Sequence, residues 1–273
     1  MSFKSKDIVR FIEEYAPLHL AEDWDNVGLM IGDLDSDIER VLLCLDVTET
    51  VVDEAISTNA NMIISHHPLI FSGIKSINTE GGKGKIIKKL IKNDISVYSA
   101  HTNMDFTEEG VNYSLAKQLK LSEITNLREY KTAVPAGKLD IEGIEYGLGK
   151  VGHLEKEKTL EEFISHVKKQ LNISVLRVIG SAKHAVSKVG VFCGSFDGDY
   201  SGIIKEKTDI LVTGDIKHHT ALDINELGLC VIDAGHYATE RIILPVLSEK
   251  LKQRFIDLEV TISADESDPI KFY

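Results

Sequence analysis

Two successive histidines, His66 and His67, stand between the apolar run Met62 to Ile64 and Pro68. The carboxyl end of a strand in an α/β sheet is where ligands collect, and imidazole is the commonest metal-ligating side chain. Pro68 holds His67 out of the α region. Neighbours on a regular strand point to opposite faces, so the two rings reach one site only if the chain bends, or else serve two neighbouring ions. Two further segments, His101-Thr102-Asn103-Met104-Asp105 and His236-Tyr237-Ala238-Thr239-Glu240, place an acid four residues after a histidine. On a helical turn that spacing puts both side chains on one face. A single such motif is no more than an exposed pair worth roughly 0.2–1 kcal/mol; two matched motifs point to a shared purpose. His66, His67, His101, Asp105, His236 and Glu240 supply three ligands for each of two divalent metal ions per chain, with positions left for water and substrate. Nitrogen and oxygen ligands without thiolate suit zinc, iron, manganese or cobalt better than calcium or magnesium. A pair of such ions lowers the pKa of a bridging water and clamps attacking and leaving oxygens, so hydrolysis is the expected chemistry.

The elements that must position these residues read as alternating strands and helices. An amphipathic segment, Ser2 to Glu14, stops before Pro17. Strands are expected at Val41 to Leu45, Met62 to Ile64 and Ser96 to Ser99, with helices at about Thr50 to Thr58 and Lys85 to Lys92 between them. The second half repeats the plan with strands at Val189 to Cys193, Asp209 to Val212 and Leu229 to Ile232, and a helix at Tyr200 to Glu206. The two halves align without a gap from Arg40 over Lys188 through His67 over Asp215. After an insertion, Pro68 to Gly84, Tyr98 to His101 falls beside Ile232 to His236, so each half ends on its own His-x-x-x-acid motif. Alternation of this kind predicts α/β architecture with much parallel pairing. The expected halves are residues 1–126, with the His-His-Pro and His-x-x-x-Asp motifs, and 127–273, with His-x-x-x-Glu and a C-terminal part able to pack back on the first. The polar, irregular stretch Lys120 to Glu142 is the expected boundary, and the metals are expected in a cleft between the halves.

Composition narrows the function classes. A net charge of -12 argues against a broad phosphate-binding surface, so nucleic acid is not expected as a partner and a small-molecule substrate, a nucleotide among the candidates, is expected instead. Apolar runs are strand-sized, far short of the roughly 20 residues of a membrane helix, and Ser2 to Glu14 lacks the pattern of a signal peptide; no membrane association and a cytoplasmic location are expected. Cys44, Cys193 and Cys230 lie singly in β-type runs and read as buried thiols. Asp46, at the end of the first strand, is a candidate general base or an acid that orients a ligand, with a helix cap as the equally weighted alternative. Asp215, His218 and His219 are reserve ligands or proton shuttles. His19, His153, His166 and His184 read as surface residues, and Gly81 to Lys85 as a mobile loop lacking the spacing of a phosphate-binding motif.

The set His66-His67-Pro68, Trp24-Asp25-Asn26-Val27-Gly28-Leu29, His101 to Asp105 and His236 to Glu240 resembles the signatures of the GTP cyclohydrolase 1 type 2 homolog family, the NIF-three-like dinuclear-metal proteins. The match runs from the N-terminal helix to Asp268-Pro269. The resemblance implies His66, His67, Asp105, His236 and Glu240 as metal ligands, with His101 matching a further family histidine. It also implies two interlinked α/β domains with mixed sheets and a ring-shaped homohexamer. Where relatives often carry Gly-Gly-Ser-Gly after the second half's first strand, this chain reads Cys193-Gly194-Ser195-Phe196, and it is too short for the extra domain some relatives hold between the halves. Two functions are therefore set against each other: a metal-dependent hydrolase of a nucleotide-like or phosphorylated small molecule, GTP cyclohydrolase-like by resemblance, and a metal-binding regulatory or scaffold protein without turnover.

Overall fold

A computed structural model describes residues 2–129, 146–182 and 184–272. In chain order the elements are β1 (Phe3–Lys4), α1 (Ser5–Tyr15), β2 (Gly28–Ile31), β3 (Asp37–Ile38), β4 (Arg40–Cys44), α2 (Glu49–Ser57), β5 (Met62–Ser65), α3 (Gly82–Lys92), β6 (Ser96–Ser99), α4 (Thr102–Phe106), α5 (Val111–Gln118), β7 (Ser122–Glu129), β8 (Gly147–Lys158), α6 (Leu160–Leu171), β9 (Arg177–Ile179), β10 (Val186–Ser195), α7 (Ser201–Glu206), β11 (Ile210–Gly214), α8 (His218–Glu226), β12 (Val231–Asp233), α9 (His236–Glu240), α10 (Ile243–Arg254) and β13 (Glu259–Ile262). They build a mixed α/β protein in two compact units, one of Met1–Met104 with Leu244–Pro269 and one of Asp105–Ile243 with Ile270–Tyr273. Among the described residues no helix is long and apolar enough to cross a membrane.

The first unit holds a five-stranded sheet in the order β13-β4-β5-β6-β2. Its first four strands are parallel and β2 runs antiparallel at the edge. Val41 to Cys44 are buried on both faces of the sheet, which is why β4 reads as an unbroken apolar run instead of an alternating one. Helix α2 starts where the Thr48 hydroxyl accepts the Val51 amide at 3.3 Å. Its Val51, Val52 and Ala55 pack with Ile87 and Leu90 of α3 against Leu42, Cys44, Ile63 and Val97, each fully buried branched side chain adding about 1.5–3 kcal/mol. That packing also corrects one expectation. Gly82 to Lys85, read as loop, form the first turn of α3, because the apolar face at Ile86, Ile87 and Leu90 is anchored in the core and carries the helix back over the glycines.

The second unit holds a six-stranded sheet, β7-β8-β10-β11-β12-β9. Strands β10, β11 and β12 are parallel, flanked by antiparallel β8 and β7 on one side and antiparallel β9 on the other. Strand β7 corrects a second expectation, since it occupies the start of a stretch read as irregular. Its one buried residue, Leu127, joins the core with Val151, Phe192 and Leu211 while its other side chains stay partly or wholly exposed, the pattern of an edge strand. Residues 130–142 of that stretch lie outside the described residues. Helix α6 opens on a capping box in which Thr159 and Glu162 satisfy each other's backbone amides.

The internal repeat holds at the level of register. Val41 pairs with Met62 in the first unit and Val189 with Ile210 in the second, the positions that the gap-free alignment superposes. Ser65 pairs with Ser99, two residues before His101, and Thr213 with Asp233, three residues before His236. In both units an antiparallel strand then borders the third parallel strand, β2 on β6 and β9 on β12. Cys44, Cys193 and Cys230 are all free and buried, as expected.

Candidate metal centre

In the first unit three histidines gather at the carboxyl edge of the parallel strands. His66 and His67 follow β5, and their amides continue the ladder onto the carbonyls of Cys44 and Leu45 at 3.1 and 2.8 Å. Beyond Ser65 the chain leaves strand geometry, so the rings do not diverge to opposite faces; their centroids lie 5.1 Å apart. His101, two residues past β6, stands 5.3 Å from His66 and 5.5 Å from His67. One ligand nitrogen from each of the three lies within 4.8 Å of the others. His66 is buried and the other two partly so.

Each ring is held through Nδ1 by an oxygen acceptor. His66 donates to the Ala100 carbonyl at 2.8 Å, His67 to Asp46 Oδ1 at 3.0 Å and His101 to Asp25 Oδ1 at 2.9 Å. A carbonyl or carboxylate oxygen only accepts, so Nδ1 carries the hydrogen and the lone pair of the neutral ring sits on Nε2. Carboxylate–imidazole–metal arrangements are built this way. Asp25 is the best anchored of the partners: its Oδ2 accepts both the Thr102 amide at 3.1 Å and the Thr102 hydroxyl at 2.6 Å. Burial by itself would raise its carboxyl, but the bonds from His101 and Thr102 outweigh it and hold the pKa at about 2. Asp46, the expected orienting acid or general base, is exposed and engaged by His67. Its own amide donates to Glu266, whose carboxylate also accepts the Leu45 amide at 2.8 Å and closes the end of β4.

The second unit places the remaining candidates in the corresponding position. Helix α9 carries His236 and Glu240 on one face, with Nε2 and Oε2 3.0 Å apart, as the i, i+4 spacing requires. His236 Nδ1 donates to Asp215 Oδ2 at 2.8 Å, so Asp215, one of the reserve residues, orients an imidazole from the strand end equivalent to that of His67. Asp233 fixes the loop between them by accepting the Ile216 and Gly235 amides at 2.9 and 3.0 Å and by pairing with Arg177. Gly194, at φ +65°, leaves the space that Glu240 uses: a Cβ there would stand 2.1 Å from Oε1. Asp105 is half-buried in α4, its carbonyl bonded to Asn112, which in turn accepts the Cys193 amide at 2.9 Å. Burial raises the Cys193 thiol and the carboxylates of Asp105 and then Glu240 raise it further, so both acids bear on one buried point. His218 and His219 open α8 on its exposed side, and among the described residues neither belongs to a group able to hold a metal.

The donor set fits a divalent transition metal. The first unit offers three imidazoles of matched orientation, and the second offers one more with two carboxylates of low exposure or half-burial. Sequence reasoning missed the part played by Asp25, which lies 76 positions from the ring it orients, and that of Glu266, 220 positions from the amide of Asp46. The only signal for Asp25 was its place in the Trp24 to Leu29 motif. His166, read as a surface residue, is instead half-buried, bonded to the Leu119 carbonyl at 2.9 Å and stacked on Phe163.

Known proteins share this chain's sequence and fold over its whole length. A Clostridium acetobutylicum protein described as a GTP cyclohydrolase 1 type 2 homolog is 38% identical over 276 aligned residues, covering 100% of both chains. One from Clostridium perfringens with the same description is 37% identical over 98% of this chain and 99% of its own length. A Staphylococcus epidermidis relative, 32% identical, aligns over 366 positions and so carries residues that this chain lacks. Among solved structures, a Bacillus cereus protein related to NIF3 superposes with a TM-score of 0.91 at 30% identity over 100% of this chain and 99% of its own. A Staphylococcus aureus protein gives 0.88 at 34% identity over 99% of each. The family model for DUF34/NIF3 (NGG1p interacting factor 3) matches residues 3–269, and the chain belongs to that family.

Proposed function

We propose that this protein is a metal-dependent hydrolase of a nucleotide-like or phosphorylated small molecule, with two divalent ions, zinc, iron or manganese, held by His66, His67, His101, Asp105, His236 and Glu240. The observation that carries the reading is the common orientation of the four imidazoles, each with Nδ1 on an oxygen acceptor and three of those acceptors carboxylates. Histidines that serve only as surface or core residues have no reason to share one tautomer and one kind of partner. The description borne by the Clostridium relatives points the substrate toward nucleotides. A homohexamer completes the proposal, on the strength of the family resemblance.

Within this proposal the chain's own residues bind, orient and hold protons. Asp25, Asp46 and Asp215 keep the Nδ1 protons of His101, His67 and His236 in place, so that each ring presents its Nε2 lone pair. Asp46 acts by positioning His67. Bound divalent ions would supply Lewis acidity and bring the pKa of water toward neutrality. Elemental analysis of native protein, then reloading with zinc, manganese or iron and screening against nucleotides and phosphoesters, tests the reading. Turnover that is lost in Glu240→Ala is expected. Metal bound at full occupancy with no turnover across the panel would favour the regulatory or scaffold reading instead.

A further inference from the structure

We infer that Trp24 and Phe71 form a stacking subsite for a planar nitrogen heterocycle, a nucleobase or a ring of that kind, beside the histidine cluster of the first unit. The inference deepens the hydrolase reading by naming the part of the substrate that is bound, but the binding it describes does not depend on turnover.

Among the described residues the large apolar side chains left exposed include three aromatics, Trp24, Phe71 and Phe272. Two of them meet each other. The rings of Trp24 and Phe71 lie 5.8 Å apart and inclined at 44°. Both also meet His101, at 6.1 and 6.4 Å, with interplanar angles of 74° and 70°. Trp24 is 58% exposed and Phe71 44%. Exposed aromatics on a surface are ordinary when scattered, but a touching pair set against a cluster of candidate ligands is a concentrated apolar feature at a polar site.

The pair is also held in advance. Trp24 precedes Asp25, whose side chain is fully buried and bonded to His101 and Thr102. Asn26, on the other side of Asp25, donates its amide to the Ile70 carbonyl, next to Phe71. The two ring-bearing loops are thereby tied together and to the ligand His101. Such preorganisation reduces the ordering cost of binding.

Size argues for a ring over a protein partner. An aromatic side chain buries about 150–250 Å², so two rings cover far less than the roughly 1,000 Å² that a specific protein interface requires. Stacking of a base on aromatic side chains needs only such an area and tolerates any base, since every base has a π face.

Trp24 is the single tryptophan of the chain, so its fluorescence reports on this position alone. The experiment titrates adenosine into metal-stripped full-length protein and follows emission, with ribose 5-phosphate as the control that lacks a base. Adenosine should quench saturably and ribose 5-phosphate should not. Phe71→Ala should weaken adenosine binding about tenfold with unchanged circular dichroism, and Phe71→Tyr should restore it. Failure of adenosine to quench, or equal binding by Phe71→Ala, overturns the subsite. Emission that responds to protein concentration and not to adenosine overturns it in favour of a second copy of the chain. Because neither metal nor turnover enters the readout, a protein that stacks adenosine and hydrolyses nothing would sink the enzyme reading and leave the subsite standing.

Discussion

The Nδ1 atom of His101 lies 2.9 Å from Oδ1 of Asp25, a carboxylate whose side chain is wholly buried and whose other oxygen is occupied by Thr102. A buried carboxylate left without donors would be costly. This one stays ionised because the hydrogen bonds from His101 and Thr102 outweigh the effect of burial, at a pKa of about 2. Asp25→Asn removes the charge and keeps the shape, so the protein should fold while metal affinity falls roughly 10- to 100-fold, the usual effect of losing an orienting partner. Equilibrium dialysis against a metal buffer checks this, and unchanged affinity would mean that Asp25 serves the fold alone.

Gly194→Ala tests the approach of Glu240 in the second unit. The new Cβ would sit 2.1 Å from Oε1 in a backbone of φ +65°. The conformation itself costs about 1–2 kcal/mol for a residue with a Cβ, and the carboxylate must move as well. Lower thermal stability together with reduced metal content is expected. A variant destabilised but fully loaded would detach Glu240 from the metal.

Much of this site was legible in the sequence, for a physical reason. His66, His67, His101 and His236 sit just past apolar runs, and a strand of a parallel sheet announces both its own span and its carboxyl end. The spacing of His236 and Glu240 needed nothing beyond the helical period. What could not be read were contacts across long stretches of chain. Asp25 belongs to a turn without periodicity, and Glu266 arrives from the far terminus to cap β4. Strand β7 was hidden because an edge strand with one buried residue, Leu127, has almost no apolar signature. Helix α3 was read short because its first turn is glycine-rich, and only packing at Ile87 and Leu90 overrides that local preference.

Glu266→Ala should loosen the end of β4. Its carboxylate accepts the amides of Leu45 and Asp46, and neither Ala nor a shortened tail replaces it. Loss of the acceptor for the part-buried Leu45 amide costs about 1–3 kcal/mol, measurable by urea unfolding. An unfolding midpoint equal to that of the wild type would show that solvent satisfies these amides.

Lys150 is a buried lysine in β8, bonded to Asn126. Burial lowers its pKa to about 8 from 10.5, against a smaller opposing pull from Glu108. Between those values the unfolded chain binds more protons than the folded one, so this group's contribution to stability rises with pH from about 8 to 10.5, and its full penalty stands below 8. Lys150→Met should therefore be more stable than the wild type at pH 7, by about 2–3 kcal/mol at most. The advantage should shrink as pH passes 8 and be gone near the upper value. Unfolding curves for the two proteins across that range check it; a constant difference would place its cause in packing.

The central claim is that these six residues hold metal, and metal per chain tests it most directly. Protein loaded with zinc, manganese or iron and freed of excess should retain close to two ions per chain. His101→Ala and Glu240→Ala should each retain fewer, and His153→Gln should match the wild type. Acidification toward the unperturbed imidazole pKa of about 6.5 should release the ions, since protons compete for Nε2. A content near zero in the loaded wild type, or full double occupancy in Glu240→Ala, would contradict the account.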